Sequence, residues 1–238
     1  MSRWEPLLVV QQHDTHADQL THRANNLPAR AELAGVAEQS QAVERRLVAV
    51  DARRGELTRS QQRLEDEIAS LTERANQAEK QLYSGAVSNP RELQALQDDV
   101  ASIRRRIGQL EDEELEIMEL SEPVDAERAD LTAEGDRLAA EYERVAAGLA
   151  ESEADIAAEL ATVRAERDEA AAQVPPELWA EYDALRAQLG GVAIARLVGS
   201  TCQGCHLALA AVEVDRIRKL GVDETVHCEE CGRLLVRD

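Results

Sequence analysis

The sequence is poor in aromatic residues and contains no phenylalanine. Two tryptophans and three tyrosines are the only aromatic side chains in 238 residues. Large aromatic side chains supply much of the buried surface of compact domains, whereas the apolar content here comes mostly from Ala, Leu and Val. This composition argues against a large enzyme fold and is typical of long helices. Glycine and proline total 18 residues, and they lie in a few places, which excludes an all-β protein.

Long hydrophobic runs are also absent near the start of the chain. Residues 7–10 form a run of only four apolar residues, far shorter than a signal sequence or a membrane span. The sequence therefore predicts a cytoplasmic protein without membrane contact. In that reducing compartment the four cysteines are not expected to form structural disulfides.

Apolar residues recur every seven positions in two long stretches, and a segment rich in turn formers at 83–90 separates them. Heptads sustained over more than four repeats predict a left-handed coiled coil. The first seam consists of Val36, Val43, Val50, Leu57, Leu64, Leu71 and Ala78. The second seam consists of Leu96, Ile103, Leu110, Ile117, Val124, Leu131, Leu138 and Val145.

The two seams match if the chain folds back at 83–90. Paired positions such as Val50 with Val124 then have a constant sum of residue numbers along both arms, and polar positions such as Arg54 and Ser121 meet each other. This matching favours an intramolecular antiparallel hairpin over a parallel dimer. Two prolines are expected to interrupt the helices: Pro28 should separate a first helix at about 5–26, and Pro123 should kink the return helix.

Negative charge is concentrated outside the C-terminal region. Asp and Glu number 47 against 27 Lys and Arg, but residues 193–238 hold seven acidic and six basic side chains. An acidic coiled coil repels nucleic acid, so any nucleic-acid contact should lie elsewhere. Three consecutive arginines, Arg104, Arg105 and Arg106, are expected to form ion pairs with the acidic partner arm.

Two Cys-x-x-Cys pairs near the C-terminus carry the clearest chemistry. Cys202 with Cys205 and Cys228 with Cys231 are separated by 22 residues, and Zn²⁺ prefers four tetrahedral thiolate ligands in structural sites. The strand-like segments 192–198 and 233–237 flank the pairs, and Gly232 stands where a turn with positive φ is expected. The sequence predicts one structural Zn²⁺ in a zinc ribbon.

Other interpretations of these residues remain open. Cys202 to His206 matches the pattern for c-type haem attachment, although that chemistry requires export. A thioredoxin-like redox pair would need a βαβ context, which is absent. His206 or His227 could replace a cysteine as ligand. His13 and His16 share a helical face and could bind a second metal ion.

The predicted fold class is mainly α: a long antiparallel coiled-coil helical hairpin followed by a small C-terminal zinc-ribbon (β) domain. The hairpin should cover 1–173, a Pro-Pro hinge with a short helix should cover 174–191, and the ribbon should cover 192–238. Trp179 and Tyr182 in the hinge are expected to seat the ribbon on the base of the hairpin, with Trp4 close by.

The whole sequence resembles a family of bacterial coiled-coil proteins that end in a C4-type zinc ribbon, and it looks like an actinobacterial-type member. The motifs that carry the resemblance are Tyr-Ser-Gly at 83–85, Asn-Pro-Arg-Glu-Leu-Gln-Ala-Leu at 89–96, Val-Pro-Pro at 174–176 and Cys-Glu-Glu-Cys-Gly-Arg-Leu-Leu at 228–235. The family is often described as nucleic-acid binding, and its zinc ligands map onto Cys202, Cys205, Cys228 and Cys231. Relatives in flagellar regulation bind a transcript and a sigma factor, and others are adaptors in type III secretion. The resemblance alone does not assign all of these roles to this chain.

No catalytic constellation is visible, because the four cysteines fill the metal shell and no phosphate-binding loop occurs. We therefore expect a protein that is not an enzyme and has no small-molecule substrate. One hypothesis is a nucleic-acid-binding regulator; the other is a protein–protein adaptor or chaperone-like scaffold that uses the acidic coiled coil and the ribbon. The candidate nucleic-acid contacts are Arg196, Arg216, Arg218, Lys219, Arg233 and Arg237.

Overall fold

Helices dominate the structure, a computed structural model that describes residues 3–85, 87–221 and 223–237. Five helices and three short strands are found in these ranges. Their order is α1 (Glu5–Asn25), α2 (Pro28–Tyr83), α3 (Pro90–Ala171), α4 (Pro176–Gln188), β1 (Ile194–Val198), β2 (Thr201–Cys202), α5 (Ala211–Lys219) and β3 (Leu234–Arg237). None of the helices in these ranges is long and apolar enough to cross a membrane.

Proline and asparagine residues set the helix boundaries. The break predicted at Pro28 is confirmed, because α1 ends at Asn25 and α2 begins at Pro28. Asn89 lies just before α3 and caps it: its side-chain oxygen accepts a hydrogen bond from the backbone N–H of Arg91 at 3.0 Å. Pro123 lies inside α3, which is not interrupted there, and the kink at Pro123 remains a prediction. Ala86 in the expected turn lies outside the described residues.

The chain divides into two compact units, and α2 and α3 contribute to both. The first unit holds the residues up to Ala31 and from Val145 onward, and the second unit is Glu32–Arg144. The ribbon region therefore belongs to the same compact unit as α1 and the end of α3. The domain bounds 1–173, 174–191 and 192–238 remain a prediction.

The second unit is the antiparallel helical hairpin expected from the heptads. Six seam residues form one buried cluster: Val36, Val43, Val50, Val124, Leu131 and Leu138. Ion pairs cross between the arms, from Arg128 Nε to Asp51 Oδ1 at 2.6 Å and from Arg54 Nε to Asp125 Oδ1 at 2.5 Å. Arg54 therefore pairs one helical turn beyond Ser121, its expected partner.

Of the three arginines near the hairpin turn, Arg104 and Arg106 pair with the opposite arm as expected, whereas Arg105 is exposed and has no ion pair within the described residues. Arg104 binds Glu79, and Arg106 Nη2 lies 3.2 Å from Glu67 Oε1. These arginines therefore contribute to packing within the hairpin, and their charge is partly neutralised by the neighbouring carboxylates.

The first unit contains a three-stranded sheet in the order β2-β1-β3. β1 pairs antiparallel with β2 and parallel with β3, with Ile194 opposite Leu234. Side chains alternate between the two faces of the sheet. One face contributes Ile194, Leu234 and Val236 to a core with α1, α3 and α4, and Ala193, just before β1, joins the same core. The other face contributes Ala195, Leu197 and Leu235 to a core with the cysteines and α5.

Candidate metal centre

The four predicted cysteines converge on one point. Their Sγ atoms all lie within 4.8 Å of one another; Cys202 and Cys231 are 4.0 Å apart, and Cys205 and Cys228 are 3.9 Å apart. A tetrahedral Zn²⁺ with Zn–S bonds of about 2.3 Å requires sulfur separations of about 3.8 Å. The four side chains therefore fit one zinc ion with little adjustment, and they are positioned to bind a single metal.

Two similar turns present the cysteines. In each knuckle the backbone N–H just after the second cysteine donates to the carbonyl of the first: His206 to Cys202 and Gly232 to Cys228, both at 2.8 Å. Both donor residues have positive φ, 61° for His206 and 73° for Gly232. The turn predicted at Gly232 is confirmed, and His206 adopts the same left-handed conformation without the freedom of glycine.

Gly204 allows close packing inside the first knuckle. A Cβ atom at this position would lie 2.6 Å from Cδ of Arg233 and 3.0 Å from Cβ of Ala195. The Gly204 backbone N–H also donates to Cys202 Sγ at 3.4 Å. The absence of a side chain therefore lets the second knuckle and β1 approach the first knuckle.

The protein environment separates the acidities of the thiols. Burial raises the pKa of Cys228 to about 12 and also raises the pKa of Cys202. Burial acts in the same direction on Cys231, but hydrogen bonds from Arg233 and neighbouring thiols outweigh it and lower its pKa to about 7. Because a metal binds the thiolates, loading the site with zinc must release protons from the thiols.

Histidines do not complete the cluster. Among the described residues, the cluster that could hold a metal consists of the four cysteines alone. His227 Nε2 lies 3.0 Å from Glu181 Oε1 on α4. His13 and His16 contact Glu166 and Glu159 on α3, at 3.5 and 3.2 Å.

A buried polar cluster in the first unit connects α1 to the ribbon and α4. Gln11 Oε1 accepts a hydrogen bond from the Ala193 backbone N–H at 2.7 Å, and Gln11 Nε2 donates one to the Gly191 carbonyl at 2.9 Å. Asp14 accepts from the Tyr182 hydroxyl at 2.7 Å and from Arg167 Nε at 3.1 Å. These contacts fix the entry to β1 and the orientation of α4. Sequence reasoning missed Gln11 and Asp14, because their partners are far away along the chain.

The hydroxyl of Tyr182 is held in its neutral form by this cluster. Burial and the hydrogen bond to Asp14 both raise its pKa. Arg186 Nε lies 3.3 Å from the same carboxylate, and Arg167 stacks over the Trp179 ring at 4.6 Å. Trp4 lies in the apolar core that adjoins the cluster, as the hairpin register predicted.

Four of the six basic residues expected to contact nucleic acid make contacts within the chain. Arg196 Nη2 lies 2.7 Å from Glu5 Oε1, and Arg216 binds Glu213. Arg233 Nε donates to the Val192 carbonyl at 2.9 Å, and Arg237 Nη1 donates to the Ile217 carbonyl at 2.6 Å. Within the described residues, Arg218 and Lys219 are exposed and have neither an ion pair nor a side-chain hydrogen bond.

Comparison with known proteins agrees with this architecture. The model of the CT398-like coiled coil hairpin domain matches residues 10–190, and the model of the C4-type zinc ribbon domain matches residues 201–235. The chain belongs to the CT398-like coiled-coil hairpin family. The family resemblance predicted from the sequence is therefore confirmed, and so is the C4 zinc ribbon with one Zn²⁺.

Relatives of this family cover the full chain. An uncharacterized protein of Mycobacterium tuberculosis is 31% identical over 231 residues, which cover 97% of this chain and 94% of that protein. A Mycobacterium smegmatis structure aligns over 100% of both chains with a TM-score of 0.86 and 24% identity. The Chlamydia trachomatis CT398 structure covers 99% of this chain and 98% of its own, with a TM-score of 0.66 and 20% identity. At these identities the two structures establish the shared fold alone.

Proposed function

We propose that this protein is a non-catalytic adaptor that binds other proteins through its zinc ribbon and coiled-coil hairpin. The observation that carries the proposal is the use of the ribbon's basic side chains. Arg196, Arg233 and Arg237 hold the ribbon together or attach it to α1, and Arg216 is paired within α5. Little positive charge therefore remains on the ribbon to bind phosphates. The net charge of -20 on the whole chain also disfavours binding to nucleic acid.

Exposed apolar side chains on the ribbon support a protein partner. Leu207 is 51% exposed and Val212, on α5, is 82% exposed. Neither side chain belongs to the buried cores of the first unit, so both are accessible to a protein partner. Zinc contributes to this role by holding the knuckles in place, because a ribbon of this size has too small a core to be stable alone.

A polar cavity in the first unit does not favour catalysis. It has a volume of about 330 Å³, and its lining includes His13, Asp14, Arg167 and Arg186. These charges satisfy one another: His13 contacts Glu166, and both arginines contact Asp14. The charged groups of this cavity are thus used in contacts within the first unit, which supports a structural role for them.

Nucleic-acid binding is the second candidate function, and one observation favours it. Arg218 and Lys219 are adjacent, exposed and located in the last turn of α5. They would provide at most a short contact with a phosphate backbone, since stacking aromatic residues are absent from residues 192–237.

Two measurements on the full-length, zinc-loaded protein test the proposal. RNA and DNA retention is measured at about 50 and about 200 mM salt, and we expect no salt-dependent retention. In cells, a photoreactive residue at Val212 should form a defined protein adduct that disappears in the Cys228→Ser variant. The same photoreactive residue placed at Arg218 is the control, because it would form an adduct with nucleic acid if the ribbon binds it. Salt-dependent RNA retention that is lost in Arg218→Ala/Lys219→Ala would contradict the adaptor function and establish the second candidate.

A further inference from the structure

The outer side of α3 exposes two large apolar side chains in the second unit. Leu115 is 57% exposed and Met118 is 47% exposed. The helical period places both on a different side from Ile117 and Val124, and Val124 is buried in the seam. Hairpin packing therefore does not account for Leu115 and Met118. An apolar helix face of this kind usually packs against another element.

Carboxylates flank these two residues on the same side of the helix. Glu111, Glu119 and Glu122 stand at helical spacing from Leu115 and Met118, and together these five residues form what we call the α3 outer face. Within the part of the chain that the structure describes, none of the three carboxylates has an ion pair or a side-chain hydrogen bond.

Some carboxylates elsewhere on α3 do have arginine partners. Asp125 is bound by Arg54, and Glu113 lies 3.6 Å from Arg106. The α3 sequence has no Lys or Arg between Arg106 and Arg128, so the charge of the outer face is not compensated along its own helix. Unpaired negative charge therefore surrounds the exposed apolar side chains.

We propose that the α3 outer face binds a cationic amphipathic helix of a partner protein. The apolar side of such a helix would cover Leu115 and Met118, and its lysines or arginines would reach Glu111, Glu119 and Glu122. Nucleic acids and anionic membranes are repelled by the same carboxylates, and this charge complementarity selects a basic protein segment. The inference rests on the proposed adaptor function and names the chemistry of one partner.

A synthetic peptide tests the proposal on the full-length, zinc-loaded protein. The peptide has about 18 residues, or about five helical turns, with leucines at i, i+3, i+4 and i+7 and lysines elsewhere. Its labelled form is titrated in fluorescence anisotropy, and a scrambled peptide of the same composition is the reference. We expect the ordered peptide to bind more tightly, and higher salt should weaken its binding.

Serine variants locate the binding face. In Leu115→Ser/Met118→Ser the dissociation constant should rise about tenfold, as is usual when central apolar contacts are truncated. Leu120→Ser is the matched control, because Leu120 is 52% exposed on another side of the same helical turn. That variant should change the dissociation constant by less than about twofold. Thermal unfolding of each variant confirms that the hairpin remains folded.

Three results would overturn the proposal: equal binding of the scrambled peptide, an equal loss in Leu120→Ser, or a dimer in sedimentation that Leu115→Ser/Met118→Ser abolishes. The last result would assign the face to a second copy of this chain. If the peptide test fails and no salt-dependent RNA retention is found, the adaptor function still holds, but the partner binds another surface. Salt-dependent RNA retention lost on Arg218 and Lys219 replacement would instead remove the adaptor function itself.

Discussion

Single side chains decide how α1, α4 and the ribbon are held in the first unit. Asp14 is 7% exposed and binds Tyr182, Arg167 and Arg186 through one carboxylate. A buried charge with several partners costs much more to remove than an exposed ion pair, since the remaining groups lose their partner without regaining water.

We predict that Asp14→Ala lowers the free energy of unfolding by about 2–4 kcal/mol, because it leaves the buried Tyr182 hydroxyl without a partner and removes the carboxylate that Arg167 and Arg186 share. Denaturant unfolding followed by circular dichroism measures the change. Asp18→Ala is the control, because Asp18 binds Arg186 but its side chain is 57% exposed, and it should cost less than about 1 kcal/mol. Equal losses in the two variants would mean that the buried cluster contributes no special stability.

The backbone at His206 allows a second prediction. His206 has φ 61°, a conformation that glycine adopts more readily. We expect His206→Gly to keep one zinc ion per chain and to stabilise the protein by about 0.5–1 kcal/mol, whereas His206→Val should destabilise it. Zinc content by elemental analysis and thermal unfolding measure the two effects. A loss of zinc in His206→Gly would instead identify His206 as a ligand.

Secondary-structure elements differ in how well the sequence predicts them. The coiled-coil arms were predictable because Val36, Val43 and Val50 repeat a local pattern that no loop interrupts. The four cysteines were predictable because the chemistry of zinc fixes both residue type and spacing. In both cases the information lies in residues close together in the sequence or in a single residue type.

Other elements depend on contacts that the sequence does not display. Helix α5 was not predicted: it has nine residues, no side-chain cap, and only Val214 and Ile217 as buried apolar residues. The parallel pairing of β1 with β3 was not predicted either, because strand patterns do not specify direction between distant segments. Gln11 and Asp14 look like ordinary helix-surface residues, but the segment that enters β1 covers Gln11, and α3 and α4 cover Asp14.

At the scale of the hairpin arms, the ion pairs between α2 and α3 test the antiparallel register. In Arg54→Glu the new carboxylate would face Asp125 on α3 and would lie one turn from Asp51 on α2. We therefore expect the free energy of unfolding to fall by about 1 kcal/mol. Adding Asp125→Arg should restore most of that stability, which a double-mutant cycle in thermal unfolding measures. Arg53→Glu is the control, since Arg53 is exposed beside Arg54 and has no ion pair within the described ranges. Absence of rescue would contradict the observed register.

At the scale of the whole chain, the sheet of the first unit belongs to two cores at once. Ile194 and Leu234 pack with α1 and α4, while Leu197 and Leu235 pack beside the cysteines. Because these strands pack against both cores, disordering one core destabilises the strands and, through them, the other core. Structural zinc therefore affects more of the chain than the ribbon alone.

We predict that zinc removal by a chelator, or the Cys228→Ser variant, lowers hydrogen-exchange protection in β1, β3, α4 and α1 together. Structural zinc contributes about 10 kcal/mol or more to the folding of small ribbons, enough to release the shared strands when it is lost. Amides within 32–144 should keep their protection, because that unit has its own apolar cluster. The chelator should have no further effect on Cys228→Ser. Loss confined to 192–237 would show instead that the ribbon is an independent module, since α1 and α4 would then be stable without it.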